Sequence, residues 1–523
     1  MRINFWIGKF LLIFFLLPPV LVKAQQAPVS NASTYQPPVF TDASRVEKIK
    51  ALLPAIEKMY KDYALEKKFP GMAFGIMVDD QLLFAGSTGY TDVAKKTPVS
   101  STSLFRIASM SKSITAMAIL KLRDEGKLKL DDEASRYIPG LKDIPLLTSD
   151  APAITIRNLL THSAGFPEDN PWGDRQLDIT HDAFMAMLKK GISFSNTTGV
   201  AYEYSNMGFA MLGEIIRVVS GMSYQEYITG NILEPLGMTH TVWEYTKAPV
   251  GLLAHGYRWQ NNKWQEEELL HDGVYGAMGG LITSIEDFSK YIAYQLSAWP
   301  ARNDKEMGPV KRSSLREMQQ AWKFSSISEK YSSPNRRTCA MVNSYGYGLG
   351  NSVDCKGSVY VGHSGGLPGF GSQWRIMPEY GIGVVAYANL TYSGMGAINS
   401  AVLDTLVKGA VLMPRQLPVS PILQQRKNEL VKLLPNWNSG EESKIFAVNF
   451  FPDHSVAVRK KQSQDLFEKA GAIIRVSELV PENQLRGSFI LHGEKADIEV
   501  YFTLTPENPA LIQQLDIRQV KKE

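Results

Sequence analysis

Strand-like runs stand at both ends of a long, mostly helical middle, and this order limits the folds open to the chain. Met72 to Val78 and Gln81 to Thr88 flank Asp79-Asp80 and read as a hairpin. Far downstream, Tyr345 to Leu349, Ser358 to Val361, Gly371 to Met377 and Ile382 to Leu390 also read as strands, with a helix following around Ala397 to Val411. Between them, from about Asp131 to Ser297, lie helical segments broken by Gly and Pro. A helix over Val46 to Tyr63 comes first, with Ile49, Leu52, Leu53, Ile56 and Tyr60 at three- and four-residue spacing. A single sheet that draws strands from both ends of the domain, with a helical insertion between, satisfies this order.

The ends of the chain read differently. Arg2 and Lys9 precede the apolar run Phe10 to Val22, and Val22-Lys23-Ala24 supplies small residues at the −3 and −1 positions, the layout of a cleaved secretory signal over 1–24. The run is interrupted by Pro18-Pro19 and falls short of the roughly 17 to 25 residues of a spanning helix. An uncleaved anchor is the alternative. The expectation is a periplasmic or secreted protein without a stable membrane span. A Gln/Pro/Ser/Thr-rich linker over 25–44 leads to a main domain over 45–413. The proline-rich segment 414–421 marks a boundary, and 422–523 reads as a small α+β accessory domain, with β-rich runs at Gly487 to Leu491 and Ala496 to Leu504.

Composition excludes several classes. With 44% hydrophobic and 21% charged residues the chain is globular rather than disordered. Its 56 Lys and Arg against 52 Asp and Glu leave +4, too little to point to a nucleic-acid partner. None of the eight histidines falls in an H-E-x-x-H or Cys/His ligand pattern, so no metal site is expected. Cys339 and Cys355 are the two cysteines, and an exported chain could hold them as a disulfide or as two thiols.

Two serines compete for chemistry. Ser109-Met110-Ser111-Lys112 puts a lysine three residues after a serine at the start of a helix that runs to Glu125, so the two share a face one turn apart. A serine hydroxyl needs a base, and a helix N-terminus offers N–H groups to a developing oxyanion. A capping serine with a solvated lysine is the plainer reading of the same residues. Ser364 lies in Gly362-His363-Ser364-Gly365-Gly366, which matches the G-x-S-x-G elbow of α/β-hydrolases. That motif needs a helix after the turn, and Gly366-Leu367-Pro368-Gly369-Phe370-Gly371 is a poor opening for one.

Three segments in order resemble the serine hydrolases of the β-lactamase superfamily, in the branch of class C β-lactamases and DD-peptidases. Phe105 to Lys112 looks like the first motif, Tyr202-Glu203-Tyr204-Ser205-Asn206-Met207-Gly208 like the Y-x-N motif, and His363-Ser364-Gly365 like the third. Lesser family stretches are Pro70-Gly71, Leu159 to Gly165 and Met278 to Ser284, and the likeness spans roughly Val46 to Leu412. The resemblance implies an antiparallel sheet flanked by helices, with a helical subdomain. Tyr387-Ala388-Asn389 also fits Y-x-N, but its apolar run reads as core strand.

The resemblance further implies that Ser109 forms an acyl-enzyme that water cleaves, with no metal or organic cofactor. Lys112 would be the base, or would stay charged to favour ionised Tyr204. Tyr204 would carry the proton to the leaving group, and Asn206 would orient Lys112 and bind a substrate amide. Backbone N–H groups of Ser109 and Gly366 would form the oxyanion hole, with Ser364 and Gly365 on the strand beside the substrate. The third motif commonly carries Lys, and His363 stands here instead; an imidazole holds a substrate carboxylate less firmly than an ammonium does. Tyr204, Asn206 and His363 each keep a structural reading, as half-buried aromatic, cap and packing residue, and His162 reads as structural. The expected substrate is a small molecule or peptide: a D-amino-acid peptide, a cell-wall stem peptide or a small ester before a β-lactam. A penicillin- or peptidoglycan-binding protein that acylates without turnover is the non-enzymatic alternative.

Overall fold

The computed structural model describes residues 35–142, 144–332, 338–434, 436–437 and 444–522. The expected signal over 1–24 and the linker up to 34 lie outside the described residues. Pro37–Gln416 is one compact unit, and the chain from Leu417 onward belongs to a second.

Alternation of apolar residues builds the first unit. Helix α1 (Arg45–Glu66) leads into β1 (Gly71–Val78) and β2 (Gln81–Asp92), paired antiparallel, with β3 (Thr97–Pro98) at the edge. The remaining strands come from the far end: β4 (Lys323–Ser332), β5 (Thr338–Tyr345), β6 (Gly350–Asp354), β7 (Val359–Leu367), β8 (Phe370–Met377) and β9 (Ile382–Ala388). Their order is β3-β2-β1-β9-β8-β7-β6-β5-β4, and β1 meets β9 with Met72 opposite Ala388 and Val78 opposite Ile382. Strands from the two ends of the domain therefore lie side by side in an antiparallel sheet.

The central strands are apolar on both faces because helices cover both. Met72, Phe74 and Ile76 of β1, with Val384 and Ala386 of β9, pack under α1 and α5 (Gly396–Gly409). Ala73, Met77, Val385 and Tyr387 face the other way, toward α4 (Ile285–Leu296) and α2 (Ser111–Asp124). The segment between the sheet halves carries α3 (Asn206–Ser220) and shorter helical turns. Helix α2 is buried on every side from Ser111 to Leu120, so its few polar groups must find partners inside the protein. Among the described residues no helix is long and apolar enough to cross a membrane.

Several expectations are corrected locally. Tyr345 to Leu349 is not a strand: β5 stops at Tyr345, and Gly346 to Leu349 form the turn into β6, with Gly346 N–H donating to Leu349 O. Gly348 has φ +66, which the alternation of Tyr and Gly does not reveal. The α-helix begins at Ser111; Ala108–Met110 form a 3₁₀ turn before it. Cys339 and Cys355 form a disulfide. Ser364 sits mid-strand in β7 opposite Gln373, and β7 turns at Pro368-Gly369 into β8, so the strand-to-helix elbow of an α/β-hydrolase is absent there.

The second unit folds around its own core. Helices α6 (Pro421–Leu433) and α7 (Val456–Ala470) accompany β10 (Ile473–Val476), β11 (Val480–Asn483), β12 (Arg486–Gly493), β13 (Asp497–Leu504) and β14 (Ile512–Val520). The order is β10-β12-β13-β14, with β11 also on β12. Phe489, Leu491, Val500, Phe502 and Leu430 meet in one cluster.

Candidate active site

The 3₁₀ turn at Ala108–Met110 sets Ser109 at the mouth of α2. Ala108 has φ +50, a left-handed conformation that costs a non-glycine residue about 1–2 kcal/mol. The surroundings hold it there. Ile107 N–H donates to Leu281 O at 3.0 Å, and the buried Ser372 hydroxyl donates to Ile107 O at 2.7 Å. Strand β7 runs so close that a Cβ on Gly365 would fall 2.2 Å from Ile107 O. Gly365 is therefore needed for β7 to lie against the turn that carries the serine.

Lys112 is fully buried. Its Nζ lies 2.9 Å from Ser109 Oγ, 2.7 Å from Asn206 Oδ1 and 2.9 Å from Met278 O. Burial lowers its pKa to about 7, against the pull of Asp174 and Asp169, which raise it. Asn206 Oδ1 and Met278 O can only accept. When Lys112 is neutral, its two hydrogens go to them and its lone pair is left for the Ser109 hydroxyl.

Asn206 owes its position to the N-terminus of α3. Ser205 caps the helix through Gly208 N–H, and the Asp169 carboxylate accepts from Asn206 N–H at 2.6 Å and Met207 N–H at 2.9 Å. Two first-turn donors are thus satisfied by a side chain from another loop. Asn206 Nδ2 donates to Asn170 Oδ1 at 3.1 Å. The side-chain amide is held from both sides with its oxygen on Lys112.

Tyr204 is half-buried, in hydrogen-bond contact with Ser109, and lies with its ring 4.9 Å from Lys112 Nζ. Burial pushes its phenol well above 10, so the neutral form prevails. The His162 ring lies 4.2 Å from it. Ser205 N–H donates to His162 Nδ1 at 3.0 Å, which places the histidine's hydrogen on Nε2, without a hydrogen-bond partner among the described residues. Burial holds His162 well below its ordinary value, so it packs as a neutral ring.

His363 lines the same cleft, but both nitrogens are engaged. Nδ1 lies 2.5 Å from Ser364 O, which can only accept, so Nδ1 carries the hydrogen; Nε2 then accepts from the Tyr345 hydroxyl at 2.8 Å. Burial, with Lys112 nearby, lowers its pKa to about 3. The imidazole offers a substrate carboxylate neither charge nor a free donor, a weaker hold than the sequence expectation allowed. Ser364, Gly365 and Gly366 line the cleft along β7, with the Ser364 side chain exposed.

The cleft has a volume of about 500 Å³. The structure brings Ser109, Lys112, Tyr204, Asn206 and His363 together from three separate segments. It adds residues that carried no sequence signal: Asp169, Asn170, Asp174, Tyr345 and Tyr392. The first three lie in the irregular stretch Glu168-Asp169-Asn170-Pro171-Trp172-Gly173-Asp174, where no period marks a buried side chain. Among the described residues no His/Cys/Asp/Glu group could hold a metal ion.

The model of the Beta-lactamase family matches residues 50–407 of the chain. Protein flp of Staphylococcus aureus (strain N315) is 31% identical over 384 residues, covering 72% of this chain and 70% of that protein. The octameric penicillin-binding protein homologue from Pyrococcus abyssi is similar in fold, with a TM-score of 0.57 and 22% identity over 90% of this chain and 96% of that one. A class C beta-lactamase gives a TM-score of 0.54 and 22% identity, over 69% and 96% of the two chains.

Proposed function

Because the chain belongs to the Beta-lactamase family, we propose that it is an exported serine hydrolase in which Ser109 is the nucleophile and neutral Lys112 the base. One observation carries this reading: the buried lysine, with two hydrogens committed to Asn206 Oδ1 and Met278 O, presents its remaining valence to Ser109 Oγ at 2.9 Å. As Oγ attacks the substrate carbonyl, its proton passes to Lys112 Nζ. The ammonium returns it through the Tyr204 phenol to the leaving group as the acyl bond breaks. Water then attacks the Ser109 ester by the same path reversed. The high pKa of Tyr204 favours a phenol that relays a proton over a phenolate that removes one. Backbone N–H groups of Ser109 and Gly366 are the donors for the oxyanion.

The uncharged, internally bonded His363 favours a peptide, amide or small ester over a β-lactam whose carboxylate needs a cation. The Cys339–Cys355 disulfide is consistent with export to an oxidising compartment.

Intact-mass analysis and peptide mapping after exposure to a fluorophosphonate test the reading. The expected result is one adduct on Ser109, absent in Ser109→Ala. An adduct on Ser364, or none, overturns it. Turnover of D-peptides, esters or β-lactams, set against a lasting adduct, separates a hydrolase from a binding protein.

A further inference from the structure

The wall of the cleft holds a carboxylate that the mechanism does not use. Asp174 is 2% exposed and lines the same cavity as Ser109. Its Oδ2 accepts from the Tyr392 hydroxyl at 3.0 Å; among the described residues neither a second hydrogen bond nor an ion pair reaches the carboxylate. Lys112 acts on it electrostatically, but the lysine's bonds go to Ser109, Asn206 and Met278. A buried carboxylate that no cation bonds is unfavourable, and an amide of the same shape would pack as well without that penalty. Burial raises its pKa to about 6, which still leaves it mostly ionised at neutral pH.

Tyr392 shows that this arrangement is held in place. Its φ is +52, a conformation bulky residues rarely adopt, and its N–H is shared between Leu367 O and Phe370 O at the β7–β8 turn. From there its ring reaches over Gly366, where an added Cβ would come 3.0 Å from Tyr392 Cδ1. The strained backbone thus carries the phenol across the end of β7 and fixes one oxygen of Asp174. The other oxygen is left for a ligand.

Position along β7 assigns the part of the substrate that meets this acid. The strand runs from His363, beside Tyr204 and Tyr345, to Gly366, beside Tyr392. In the hydrolase reading above, on which this inference rests, the leaving group departs at the Tyr204 end. The acyl group then extends past Gly366 toward Tyr392 and Asp174. We propose that Asp174 receives a protonated amine on the acyl part of the substrate, so that the enzyme selects amino-acyl esters or amides bearing a free ammonium group. The ammonium supplies the countercharge and the donor that the carboxylate lacks.

Two phosphonate probes test this on the full chain: diphenyl 1-aminoethylphosphonate, and its isostere diphenyl isopropylphosphonate, in which a methyl replaces the ammonium. Each loses phenoxide to Ser109 Oγ, and labelling rates are read by intact mass. The readout is the ratio of amine-probe to neutral-probe rates, which cancels any shared effect on Ser109 or Lys112. The wild type is expected to favour the amine probe by about tenfold or more, and Asp174→Asn to reduce the ratio to near unity. A wild-type ratio near unity, or a ratio unchanged by Asp174→Asn, overturns the proposal while neutral-probe labelling upholds the serine hydrolase. Failure of both probes on wild-type Ser109 overturns the hydrolase reading, and this one falls with it. If Asp174→Asn takes neither probe, Tyr392→Phe decides: a lowered ratio supports the proposal, and an unchanged one overturns it.

Discussion

Asn206 Oδ1 accepts from Lys112 Nζ at 2.7 Å, and that bond keeps the amine beside Ser109 in either protonation state. An amide oxygen accepts a hydrogen from either form of the amine, but it does not favour the ammonium as a carboxylate would. Burial then lowers the lysine to about 7, so its neutral form is reachable near physiological pH.

Activity should follow the ionisation of Lys112. Its pKa is lowered to about 7 by burial, and the deprotonated amine is the working form. Rates of Ser109 labelling and of substrate turnover are therefore expected to rise as pH passes through about 7 and to level off above it. Measured rates that fall across that window would assign the working form to the ammonium instead.

Charge at the lysine's partners should move that limb in opposite directions. Asn206→Asp places a carboxylate on Nζ, favours the ammonium and shifts the acid limb upward; Asn206→Ala leaves a buried donor unpaired and should lower kcat/KM by about 10- to 100-fold. Asp169→Asn removes a charge that raises the Lys112 pKa, so its limb should shift downward. pH–rate profiles of the three variants check the signs.

Gly365→Ala should disable the site without touching a reacting atom. The new methyl would meet Ile107 O at 2.2 Å and Ser372 Oγ at 2.4 Å, so β7 or the Ser109 turn must shift. A displacement of about 1 Å in reacting geometry can cost on the order of 100-fold, and labelling of Ser109 should drop by at least that much. Circular dichroism would show the fold retained.

Breaking the Cys339–Cys355 disulfide should lower stability more than activity. It spans a sequence separation of 16 residues, a loop for which the chain-entropy estimate is about 3 kcal/mol. Denaturation of the Cys339→Ser/Cys355→Ser variant, with Ser109 labelling alongside, measures both.

Where burial follows a simple period, the fold was legible. The runs at Met72–Val78 and Ile382–Ala388 alternate between two covered faces, and α1 repeats its apolar residues every three or four positions. Strand β4 is not legible in the sequence because Lys323–Ser332 is largely polar, with Phe324 and Ile327 left exposed, so its pattern resembles a loop. A sheet edge is defined by backbone pairing rather than by what its side chains bury.

The candidate site divides along the same line. Sequence alone determined that Ser109 and Lys112 lie one turn apart, because spacing along a helix is local geometry, and the strand carrying Gly365 was placed beside them by the family resemblance of its motif. Only the tertiary structure decided the chemistry of those groups. Lys112 is lowered to about 7 because packing strips its water. His363 is neutral because the fold buries it with Lys112 nearby, and Tyr345, 18 residues away, takes its free nitrogen. Asp169 and Asp174 are brought to the site at the two ends of the short helical turn Asn170–Gly173. Desolvation and long-range hydrogen bonds depend on what the fold places beside a side chain, and no period in the sequence records that.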